Sequence, residues 1–118
     1  FYTLGNAYAL KKQFSRAAGY YRESQTLNET LGNKEGIALS FIGLAQTSSA
    51  SGLHTEAAML FEQAAALAES IGARADAKEA YRGLAQEYEV LNNADKALAA
   101  HKRFFELHDS LFAEKSSR

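Results

Sequence analysis

The chain has neither cysteine nor proline among its 118 residues. Without cysteine it can form no disulfide and no thiolate metal site, and its redox compartment leaves no mark on the sequence. Without proline, and with abundant Ala, Leu, Glu, Lys and Gln, the composition favours helices throughout. An excess of charge is missing too: 13 Lys and Arg against 14 Asp and Glu leave a formal net charge of −1. No basic footprint for nucleic acid or for an anionic membrane is therefore present. No apolar run approaches the roughly 20 residues of a membrane span, and no signal peptide is visible. The length suits one ordinary domain with a real core. Phe1 lies inside an apolar pattern at the very start of the chain, which predicts a fragment of a longer protein.

What is present is a repeat. "NETLG" at 28–32 returns as "AESIG" at 68–72 and as "HDSLF" at 108–112, forty residues apart each time. The same shift aligns Phe1, Phe41 and Tyr81; Leu4, Leu44 and Leu84; Gly5, Ala45 and Ala85; and Tyr8, Ser48 and Tyr88. Within a copy these positions fall at i, i+3, i+4 and i+7, one stripe of an α-helix. A second helical stripe joins Ala17, Ala57 and Ala97; Tyr21, Phe61 and His101; Ser24, Ala64 and Phe104; and Leu27, Leu67 and Leu107. Ser15, Thr55 and Asp95 stand just before it, residue types that cap helix N-termini.

Turn-like segments "KKQF", "SGLH" and "NNAD" separate the stripes, so each unit reads as two antiparallel helices, A and B. The expected helices are A1 at about 1–11, B1 at 15–31, A2 at about 33–51, B2 at 55–71, A3 at 74–91 and B3 from 95 to about 114. "SSAS" at 48–51 is the frayed end of A2. Gly32 and Gly72 suit the left-handed turn that ends a helix. Phe112 replaces that glycine in the third copy, which predicts that B3 runs on through "AEKSSR".

The small residues Gly5, Ala45 and Ala85, each preceded by Leu, with Tyr8 and Tyr88, resemble the first helix of a tetratricopeptide repeat. Ala17, Ala57 and Ala97 with Tyr21 and Phe61 resemble its second helix. The likeness spans essentially the whole chain, in a forty-residue spacing rather than the commoner 34-residue form. It departs in lacking the family's proline near the repeat end, where Glu29, Glu69 and Asp109 stand, and in placing Ser48 and His101 at aromatic positions. The resemblance implies an all-α, right-handed α-solenoid of three helix-turn-helix hairpins, six helices in all. It implies one domain over 1–118, with repeats at about 1–32, 33–72 and 73–112 and a helical extension at 113–118. "ADKALAAHKRFFELHDSLFAEKSSR" further resembles the last repeat of bacterial sensory proteins in which such arrays precede a histidine kinase or diguanylate cyclase module.

Chemistry-bearing constellations are scarce. His101 and His108 sit seven apart, about 10.5 Å along a helix axis, too far to share a metal. His108 and Asp109 point to different sides, and no glycine-rich phosphate cradle occurs. The expectation is a non-enzymatic chain without cofactor or metal.

A different register does suggest a site. About 100° round from each A-helix core stripe stand Tyr2, Asn6 and Ala9; Ile42, Gln46 and Ser49; and Arg82, Gln86 and Glu89, each set at i, i+4 and i+7 and so on one face. In the repeat family this face lines the concave groove. Its middle position is a carboxamide in all three units, Asn6, Gln46 and Gln86, able to donate to and accept from a peptide backbone. Leu39 extends the apolar end and Glu79 the charged end. Amides in register also arise on ordinary exposed helix surfaces. Capture of a terminal carboxylate, as by tetratricopeptide co-chaperones, is not expected, because Tyr2, Gly43 and Gly83 stand where cations would be needed.

The reading is thus a module that binds a protein or peptide segment in this groove, within a bacterial signalling protein by resemblance. The alternative is structural self-association into a homo-oligomer through exposed A1 and B3 surfaces. Neither nucleic acid nor membrane insertion is expected, and the sequence leaves cytoplasm and periplasm equally open.

Overall fold

A computed structural model describes residues 14–116, and the surroundings of side chains for residues 15–109. The expected helix A1, with Tyr2 and Asn6, lies outside the described residues. The described chain forms five α-helices and no strand: α1 (Phe14–Leu31), α2 (Lys34–Ala50), α3 (His54–Ser70), α4 (Arg74–Val90) and α5 (Ala94–Ser116). Each packs on the next, and α2 also touches α4. Connections of two or three residues turn each pair into an antiparallel hairpin. No described helix is long and apolar enough to cross a membrane.

One device ends four of the five helices. Gly32, Gly52, Gly72 and Asn92 adopt φ of +69°, +85°, +73° and +60°. Glycine enters this left-handed region without steric cost, and asparagine tolerates it better than most residues. The next residue then donates its N–H to the carbonyl five back. These bonds are Asn33 to Asn28, Leu53 to Ser48 and Ala73 to Ala68 at 2.8 Å, and Asn93 to Tyr88 at 2.9 Å. This geometry satisfies carbonyls that a helix end would otherwise leave open. At position 112 phenylalanine occupies the equivalent place, and α5 continues to Ser116 for 23 residues against 17 or 18 in the others. "SSAS" at 48–51 is accordingly a closed helix end, with Ser51 as the cap of α2.

The N-terminal caps differ from expectation. Thr55 and Asp95 lie inside the first turns of α3 and α5, and Ser15 lies inside α1. The residues that cap are Asn33, whose side chain accepts from Gly36 N–H at 3.1 Å, and Asn93, which accepts from Lys96 N–H at 3.2 Å. Leu53 and Ala73 hold the same place before α3 and α4 and supply no side-chain bond.

Packing follows the forty-residue repeat. Ala17, Ala57 and Ala97, Ala45 and Ala85, and Leu44 and Leu84 are all buried. The small residues let neighbouring backbones approach while rings fill the gaps. Tyr21 of α1 seats against Gly43 of α2, and Phe61 of α3 against Gly83 of α4. A Cβ at Gly43 would lie 2.5 Å from a Tyr21 ring carbon, and one at Gly83 would lie 2.4 Å from Phe61. Where one side of a contact grows, the other shrinks. Asn28 presses on Gly36, while forty residues on the corresponding pair is Ala68 and Asp76. Leu27 departs from its expected stripe and is exposed, whereas Leu107 is buried.

Candidate functional site: the cleft between helices α2 and α4

The C-terminal half of α2 and the middle of α4 border a cleft of about 230 Å³. Gln46, Ser49 and Ala50 form one wall, and Glu79, Arg82 and Gln86 the other. Phe61, Gly83 and Glu87 complete the lining. Five of the groove residues expected from sequence, Gln46, Ser49, Glu79, Arg82 and Gln86, therefore surround one space. The spacing explains this: 79, 82 and 86 stand at i, i+3 and i+7 on α4, and 46, 49 and 50 follow the same face of α2.

Three others are placed elsewhere. Ile42 is 4% exposed and belongs to the core with Ala45, Phe61 and Leu84, so it offers no groove wall. Its helix is touched by α1, α3 and α4, and a helix with three neighbours buries more than one stripe. Leu39 is half-buried against the same core. Glu89 turns towards α5, where His101 Nε2 lies 2.5 Å from its Oε1.

Charge in the cleft is unevenly matched. Arg82 donates to Glu79 one turn earlier on its own helix, an exposed pair of small energetic weight. Glu87 is different: it is 4% exposed, and its Oε2 lies 2.7 Å from Nδ1 of His54 at the start of α3. A carboxylate only accepts, so His54 carries the proton on Nδ1 in this bond. The expected groove set did not include Ala50, Phe61, Gly83 or Glu87. The available signal was the register with Thr47, which Glu87 breaks by placing a charge where the preceding repeat has a hydroxyl.

A second, more apolar cleft of about 440 Å³ opens between α4 and α5, lined by Tyr81, Leu84, Tyr88, Ala99 and Ala100. Its rim carries Glu62, Lys96 and Arg103. These are engaged within the fold. Tyr88 donates its hydroxyl to Glu62, and Lys96 Nζ lies 5.5 Å from the Tyr88 ring centroid. Arg103 donates to Glu69 at 2.6 Å and to Glu106 at 2.9 Å. Burial, and then the neighbouring Glu69 carboxylate, raise the Tyr81 phenol above its ordinary range.

Among the described residues no three or more His, Asp or Glu side chains converge as a metal site would require. No protein-family model matches the chain, and no curated protein matches it.

Proposed function

We propose that this chain is a non-enzymatic protein-interaction module that holds a peptide or protein segment in the α2–α4 cleft. In this reading α2 with α3 and α4 with α5 are the second and third hairpins of a right-handed tetratricopeptide-type solenoid. α1 is the B helix of the first. The observation that carries the reading is the convergence of Gln46, Ser49, Glu79, Arg82 and Gln86 on one cleft. Gln46 and Gln86, forty residues apart, face each other across it, and the polar walls have hydrogen-bonding capacity of both signs. In this reading, which the resemblance of the C-terminal repeat supports, the module is part of a bacterial signalling protein and α5 leads towards an output domain.

The test is selection of a displayed random-peptide library on the protein. Replacing both Gln46 and Gln86 with Ala should weaken the selected peptides about tenfold or more without lowering the melting temperature, since both side chains are exposed. Unchanged affinity would remove the cleft from consideration.

A second reading, self-association, draws on α5. Leu98 and Phe105 are 70% and 58% exposed. The residues forty earlier, Ala58 and Ala65, are buried in the core beneath α4. Large apolar side chains on an uncovered helix face mark a contact surface. Light scattering over a dilution series separates the two readings: a mass that stays monomeric excludes this one.

A further inference from the structure

Glu87 is the one acidic side chain of the cleft that the fold buries, at 4% exposure. Position 47 in the preceding repeat shows that the place needs no charge. Thr47 is buried there too, and satisfies its hydroxyl by donating to the Gly43 carbonyl at 2.9 Å. A carboxylate has no proton to donate to a helix carbonyl. It therefore needs a donor from outside its own helix, and a buried anion is costly until it is matched. His54 engages one of its two oxygens. The remaining charged pair of the cleft, Glu79 and Arg82, is matched internally. Within the cleft lining two carboxylates face one guanidinium, and the group that matches Glu87 is the His54 imidazole, cationic only when protonated.

Shape agrees with charge. At about 230 Å³ the cleft falls below the roughly 300–1,000 Å³ of pockets that enclose drug-sized ligands, which suits a single long side chain. The base includes the Phe61 ring, which is 4% exposed and is seated where a Gly83 Cβ would stand. An aliphatic stem can lie on such a ring while its cationic end reaches a carboxylate. Gln46 and Gln86 stand on opposite walls of the cleft.

We infer that the partner segment inserts a Lys or Arg side chain towards Glu87, a statement that rests on the cleft being the peptide site proposed above. The cation gives Glu87 a partner that stays charged, and the two carboxamides hold the flanking backbone. Without a basic residue at that point, the His54 imidazole is what remains to match Glu87.

The test uses the whole chain and peptides selected from the displayed random library. Selected peptides should share a Lys or Arg at one fixed position. Changing that residue to norleucine should weaken binding to the unaltered protein at least tenfold. Glu87→Gln, which keeps an acceptor for His54, should weaken the parent peptide by a similar factor. The two losses should not add when combined, because they remove one interaction. The norleucine arm leaves the protein intact, so it decides the matter even if Glu87→Gln disturbs the fold. Peptides without a basic residue that still lose affinity on replacing Gln46 and Gln86 would overturn this inference while leaving the groove reading in place. If no peptide is selected, both fall.

Discussion

The Phe61 ring lies against Gly83 of the neighbouring hairpin, as Tyr21 lies against Gly43 forty residues earlier. Ring and glycine come from different helices, and the ring's fit depends on the absence of a single methyl group.

That dependence sets the sign of a mutation. Gly83→Ala gains about 1 kcal/mol of helix propensity but forces a methyl into a buried ring, which costs about 1–3 kcal/mol. The net expectation is destabilisation in urea unfolding. Gly19→Ala is the control, since a Cβ there meets nothing within 4 Å and only the propensity gain remains. Equal midpoints for the two variants would refute the account.

Leu53 offers a gain. Its backbone angles, φ −91° and ψ 68°, are close to the −87° and 89° of Asn33, which caps α2 through its side chain. Leu53 is itself 55% exposed, so little packing is lost on replacing it. Leu53→Asn should stabilise the protein by about 1 kcal/mol, the usual worth of an N-cap bond. A denaturation midpoint at or below that of the parent would show that the cap does not form.

Asp76 predicts a pH dependence. Burial, and then the nearby Glu35 carboxylate, raise its pKa above the ordinary 3.8. The start of α4 should favour an acid through the helix dipole, so the upward shift shows that burial and repulsion prevail. A raised folded-state pKa favours the protonated form. The stability it contributes is full below pH 3.8 and is lost as pH rises through the folded-state value. Asp76→Asn should therefore be more stable than the parent at pH 7, with the difference closing as pH falls to 3.8 and below. Thermal melts across that range check it. A gap that widens on acidification would contradict the assignment.

Helix order and boundaries were legible because the forty-residue period and the 3.6-residue period reinforce each other over many positions. Residues 46, 49, 79, 82 and 86 could be gathered around one cleft for the same reason. Ile42 could not be excluded from its lining by periodicity. Its burial depends on α4 crossing α2, which is a property of the neighbour's path. The caps misled for a local reason. Thr and Asp at the second helical position look the same in sequence as Thr and Asp at the cap itself, because acceptors suit both places. Glu87 escaped attention because a lone glutamate on a helix reads as solvated surface until the packing buries it.

The left-handed residues at 32, 52, 72 and 92 recur every twenty positions, yet the ring-on-glycine seats recur every forty. Two nested rhythms make the hairpin the indivisible module of growth. Duplicating forty residues reproduces both rhythms and extends the array by a matching step. Duplicating twenty would preserve every reversal of the chain while presenting aromatics to a partner that has no hollow to receive them.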